Sequence, residues 1–153
     1  HTTAKLMIYG EGILRNELTE YIKNKGLEQN VMLCGNTNNV PKVLSETEIF
    51  VLSSDYEGMP NALMEALAAG VSCISTDCPC GGPRNLITDR VNGRLIPVGD
   101  RKQLENVLDE LLDNKEDAAK LGIEARKRAL EFRPKKICED WHNYIEYIVN
   151  KNV

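Results

Sequence analysis

Aromatic side chains are scarce in this sequence, with one Trp, two Phe and five Tyr among 153 residues. Histidine is scarcer, at two, and His142 falls in the last helical stretch, where it reads as a surface imidazole rather than an acid–base catalyst. An excess of positive charge is also missing. The formal net charge is -4, which gives no electrostatic reason to expect a nucleic-acid partner. A modest basic cluster between Arg126 and Lys136 reads as solvated helix charge rather than as a membrane patch. No apolar run reaches the roughly 18 residues that cross a bilayer, and nothing at the amino end reads as a signal peptide. Cysteine is present in an odd number, five, and Cys34, Cys73 and Cys78 sit in or beside apolar runs, so a reducing cytoplasm is expected. Cys78-Pro-Cys80 lacks CxxC spacing and has no second pair, so neither a metal nor a redox cofactor is expected. Internal repeats and low-complexity linkers are absent.

What is present is alternation. Short apolar runs read as strands: Lys5 to Tyr9, Val31 to Cys34, Ile49 to Leu52, Val71 to Thr76 and Arg94 to Val98, with an Asn92-Gly93 turn before the last. Between them lie helical patterns at Ile13 to Lys25, stopped by Gly26, and Pro41 to about Glu46, with a helical turn at Pro83 to Thr88. After them, Asp100 caps a helix through Leu112, a second runs from about Glu116 to Phe132, and a third starts at Pro134. Strands that are apolar throughout and alternate with helices imply a parallel sheet buried on both faces. The expected fold is a doubly wound α/β domain over 1–153 with a helical carboxy-terminal tail. Ligands of such sheets lie beyond the carboxyl ends of the strands, and the loops at Gly10 to Gly12, Gly35 to Val40, Ser53 to Pro60 and Asp77 to Pro83 all follow strands.

The central stretch runs from Ser53 to Asp77. Its helix, Asn61 to Ala69, is apolar almost all round and is therefore expected to be buried, with Glu65 as its only charge. Glu57 stands in the preceding loop, with seven residues between it and Glu65. Asn61 is the expected N-cap, so the helix's free amides point into the same loop and offer an anion site suited to a diphosphate. Gly58 lets the backbone approach a ligand closely. Glu57 repels phosphate, so its natural partners are sugar hydroxyls, and the two oxygens of Glu65 can accept from a vicinal diol. Either acid alone could be a solvated or salt-bridged surface residue; the pair, the glycine loop and the apolar helix together favour a site.

The run Glu57-Gly58-Met59-Pro60-Asn61-Ala62-Leu63-Met64-Glu65-Ala66-Leu67-Ala68-Ala69-Gly70 resembles the E-x7-E signature of retaining glycosyltransferases of the GT-B fold. The closest type is family 4, or group 1, which includes bacterial enzymes that build surface polysaccharides. Tyr9-Gly10-Glu11-Gly12, Leu33-Cys34-Gly35, Thr76-Asp77-Cys78-Pro79, Asn92-Gly93-Arg94-Leu95 and Gly99-Asp100 follow in family order, so the resemblance covers nearly the whole chain. It implies a Rossmann-like, carboxy-terminal half of GT-B. Glu65 would bind the ribose hydroxyls of a UDP-sugar, and Glu57 would hold the donor sugar beside the reacting carbon. The backbone of Gly58, Met59, Pro60, Asn61, Ala62 and Leu63 would contact sugar and diphosphate, and Thr37 would border the base. The implied reaction passes a hexose to the hydroxyl of a saccharide or lipid-linked saccharide acceptor, on the cytoplasmic side and with peripheral membrane contact through the full-length enzyme.

The family's first strand, its loop bearing an Arg and a Lys, and its amino-terminal acceptor domain all precede the residues that carry this resemblance. The expectation is thus most of the donor half of a two-domain enzyme. Asn85 stands where many relatives carry an acid. A binding or interaction module of the same fold without turnover is the competing reading. A phosphorylase would need a lysine for pyridoxal phosphate, and none lies between Val43 and Arg101.

Overall fold

The computed structural model describes residues 3–151. They fall into two compact units, one up to Val43 and one from Leu44 onward. In the first, strand β1 (Leu6–Tyr9), helix α1 (Arg15–Asn24) and strand β2 (Val31–Gly35) form a βαβ unit, and helix α2 (Val40–Ser45) spans the boundary. The strands pair in parallel from Leu6 opposite Val31 to Tyr9 opposite Gly35. Gly26, at φ 64°, ends the helix segment where the pattern placed its stop. The expectation that β1 is buried fails: all four of its residues are exposed, and α1 buries none of its own. A strand with one neighbour and one covering helix, in a unit this small, has too little chain around it to exclude water.

The second unit contains β3 (Ile49–Leu52), α3 (Asn61–Ala69), β4 (Ser72–Thr76), α4 (Gly82–Leu86), β5 (Arg94–Ile96), α5 (Arg101–Asp113), α6 (Lys115–Ala129) and α7 (Pro134–Lys151). A 3₁₀ turn at Leu130–Phe132 links α6 to α7. The sheet order is β3-β4-β5, every pair parallel, so the alternation in the sequence did mean an α/β fold with parallel strands. The hydrogen bonds form two sheets, β1-β2 and β3-β4-β5, rather than a single one.

β4 is the centre of the second unit. It is flanked on both sides, and all five of its residues are buried. Ile74 and Ile96 pack with Val107, Leu111 and Leu121 of α5 and α6, while Ile49, Val51, Leu104, Leu108 and Ala118 close the rim of this cluster. Each such side chain contributes about 1.5–3 kcal/mol when withdrawn from water. Asp100 caps α5 by accepting from the amide of Gln103, and Asn114 caps α6 by accepting from that of Asp117.

Two buried polar groups hold the loops. The Asn92 amide donates to the Leu86 carbonyl at 2.9 Å and its oxygen accepts from the Thr88 amide at 2.7 Å, so the Asn92-Gly93 turn is fixed to α4. Arg94, with a side chain only 5% exposed, reaches Glu110 at 2.7 Å through Nη1. Its Nε lies 3.5 Å from Asp89, close enough for charge attraction but without hydrogen-bond geometry.

Candidate functional site

The loop between β3 and α3 holds the residues that the sequence singled out, and its shape is set by backbone contacts. Its partner is the segment after β4, residues 77–82, which ends at the first residue of α4. A Cβ on Gly82 would lie 1.4 Å from the carbonyl oxygen of Gly58 and 3.2 Å from that of Glu57. The two loops therefore touch main chain to main chain, at a spacing that only glycine permits. Gly81 turns the chain there at φ 78°. Hydrogen bonding to the neighbouring Cys80 thiol, with its charge, pushes the exposed Tyr56 phenol above the ordinary tyrosine pKa.

Glu57 is half-buried in this loop, and the Ser54 hydroxyl donates to its Oε1 at 2.8 Å. Ser54 is itself anchored. Its carbonyl accepts from the hydroxyl of Thr76, at the end of β4, and from the Cys78 thiol at 3.2 Å. Sequence reasoning missed this network, although the Ser-x-x-Glu spacing was a visible sign of a side-chain pair. It also missed the two-pronged pair in which Arg84 Nε and Nη2 donate to Asp77 at 2.7 and 2.6 Å. These residues are seven apart, a spacing with no local signature.

Helix α3 departs from expectation in two respects. The N-cap is Pro60, at φ −75° and ψ 109°, not Asn61, which is the first helical residue; no side chain caps the helix. Proline carries a fixed φ suited to the start of a helix and leaves Asn61 no room outside it. The uncapped first-turn amides thus remain available to a ligand. The helix is also not buried all round. Leu63, Ala66 and Leu67 are buried, whereas Asn61, Ala62, Glu65, Ala68 and Ala69 are exposed. Small alanines on the outer face demand little cover, so one covered face suffices. Glu65 is therefore a solvated carboxylate, four residues beyond Asn61 on the same helical face.

Among the proposed contacts, Gly58 and Met59 are exposed, Pro60 is buried, and the Leu63 side chain is wholly in the core, leaving only its backbone for a ligand. Thr37 lies in the other unit, after β2, where its hydroxyl accepts from the Asn39 amide at 3.1 Å. Two hollows among the described residues lie elsewhere. One of about 390 Å³ is lined by Ile137, Asp140, Trp141 and Tyr144 on α7, and a smaller one lies beside Gly10 and Gly12.

A model of the family described as "Glycosyl transferases group 1" matches residues 1–128. This chain belongs to that family. An N-acetylgalactosaminyltransferase of Campylobacter jejuni, which acts on a diphospho-undecaprenol-linked saccharide, is 34% identical over 94% of this chain and 39% of its own length. A crystal structure of an S. aureus TarM mutant with fondaparinux, alpha-GlcNAc-glycerol and UDP superposes with a TM-score of 0.86 at 31% identity, covering 93% of this chain and 29% of that one. The carboxy-terminal domain of the group 1 glycosyl transferase LpcC from Francisella tularensis shares the fold, with a TM-score of 0.69 at 24% identity over 76% of this chain and 60% of that one. Bacterial enzymes of the GT-B fold are thus its relatives in sequence and in structure. The chain spans well under half the length of the first two.

Proposed function

We propose that this chain is the donor-binding portion of a retaining glycosyltransferase that moves a hexose from a UDP-sugar to an acceptor hydroxyl in polysaccharide or glycolipid synthesis. The observation that carries the reading is Glu57, held by Ser54 in a loop that runs straight into the uncapped amino end of α3. Glu65 follows on the exposed side of the same helix, where it accepts from the ribose hydroxyls. The helix amides and dipole stabilise the diphosphate as negative charge builds on the leaving group. Glu57 orients the sugar through its hydroxyls while the acceptor attacks from the face the diphosphate leaves.

Asp77 engages Arg84 with both oxygens, which offsets the positive charge Arg84 would bring to a diphosphate. The Arg and Lys of the family's opening strand–loop–helix unit supply that charge from upstream, and the acceptor domain lies upstream as well. The lipid-linked acceptor of the Campylobacter relative supports a saccharide or lipid-linked saccharide as the acceptor.

Calorimetry with UDP and UDP-hexoses tests this reading. The chain alone is expected to bind weakly and to turn nothing over. Glu65→Ala is expected to weaken UDP binding by about tenfold or more, the worth of charge-assisted hydrogen bonds. Binding indifferent to Glu65→Ala would favour an interaction module that kept the fold without catalysis, and transfer by the chain alone would refute the assignment to a donor half.

A further inference from the structure

We infer that Ser54 is a positioning residue for Glu57, held in turn by Thr76 and Cys78; the inference rests on the donor-sugar role proposed for Glu57. A glutamate side chain on an irregular loop has three rotatable bonds and no regular element to fix it. Among the described residues the single group that hydrogen-bonds the Glu57 carboxylate is the Ser54 hydroxyl, at 2.8 Å to Oε1. That bond occupies one oxygen and leaves Oε2 to face a sugar hydroxyl, so one carboxylate orientation is selected before substrate arrives.

Ser54 can do this because its own main chain is pinned. Thr76 Oγ1 and Cys78 Sγ both donate to the Ser54 carbonyl, and the two donors lie 3.5 Å apart. Thr76 is the last residue of β4, the most enclosed strand of the unit, and Cys78 is fully buried. The chain of contacts thus runs from the rigid sheet through Thr76, to the Ser54 backbone, to the Ser54 hydroxyl, to Glu57. Loss of an outer partner that orients a metal ligand typically costs about ten- to a hundredfold in activity, and the same order is taken for this carboxylate.

The test is made in the full-length transferase, with kcat, donor KM, UDP affinity and melting temperature measured on Ser54→Ala, Ser54→Thr, Glu57→Gln and the double variant Ser54→Ala/Glu57→Gln. Ser54→Ala is expected to lower kcat by about ten- to a hundredfold. UDP affinity should stay within about twofold, since UDP carries no sugar for Glu57 to hold, and the melting temperature should not move. Ser54→Thr, which keeps a hydroxyl, should recover most of kcat. The double variant should be no worse than Glu57→Gln alone, because residues acting as one unit are not additive. Should Ser54→Ala fail to fold, Ser54→Cys, near in size but a weak donor, serves the same comparison. Undiminished kcat in Ser54→Ala beside a crippled Glu57→Gln overturns the Ser54 assignment and spares the Glu57 reading. A parallel fall in UDP affinity and melting temperature marks the serine as merely structural and overturns it too. Full activity in Glu57→Gln overturns both.

Discussion

At the residue scale, the molecule separates side chains that build from side chains that act, and the cysteines show it. Cys73 is buried on β4, and that burial pushes its thiol up to about 12. Only about one part in ten thousand is thiolate at pH 8, and thiolate is the reactive form. Cys80 and Cys138 are exposed. Iodoacetamide followed by mass spectrometry should therefore modify Cys80 and Cys138 in the folded chain and leave Cys73 and Cys78 untouched until denaturant is added. Early modification of Cys73 would contradict the enclosed position of β4. A second prediction concerns Gly82. Its missing Cβ is what lets the Gly58 carbonyl sit where it does, so Gly82→Ala must move the Glu57 loop rather than a flexible side chain. We expect UDP-sugar binding to fall by about tenfold or more, with a stability loss of about 1–3 kcal/mol read from chemical denaturation. Unaltered binding would show that the loop position does not matter to the site.

At the element scale, packing between backbones decides as much as apolar burial does. α6 crosses the end of α3 where Gly70 stands in the left-handed region at φ 79°. A Cβ on Gly122 would fall 2.2 Å from the Gly70 carbonyl oxygen. Helix propensity favours alanine over glycine by about 1 kcal/mol, yet a clash with main chain, which has no side-chain freedom to relieve it, costs more. Gly122→Ala should therefore lower the melting temperature, and a rise would show that α6 can slide. Such contacts explain what was legible in the sequence and what was not. β3 and the Asp100 cap were readable because an apolar run and a capping residue are local signals. The alternation of elements gave the α/β class, and Glu57 and Glu65 stood out by spacing and by helix character. Pro60 taking the cap from Asn61 was a one-residue shift between two residues that both favour the start of a helix. Exposure of β1 depends on how many neighbours surround it, which no window of sequence contains. The Thr76–Ser54–Glu57 network joins residues 22 apart, and only the folded sheet brings them together.

At the scale of the whole molecule, α7 is the element whose sequence and surroundings agree least. Its apolar stripe of Ile137, Trp141, Tyr144, Ile145 and Ile148 has the spacing of a helix face made to be covered, yet every one of these residues is exposed. Trp141 stands edge-on to Tyr144, with ring centroids 6.2 Å apart, and is 62% exposed. It is also the only tryptophan, so its fluorescence reports on this face alone. In the isolated chain, Trp141 should emit as a water-exposed indole and be quenched readily by acrylamide and by iodide. The relatives are more than twice as long as the part this chain matches, and a contiguous apolar stripe of this kind marks a surface that meets another one. If the acceptor half proposed upstream is that other surface, adding it as a separate purified domain should shift the emission to shorter wavelength and reduce quenching, and Trp141→Asp should abolish both changes. An unshifted spectrum on adding that half, at concentrations where the two are shown to associate, would mean that the halves meet elsewhere and that the stripe serves some other partner.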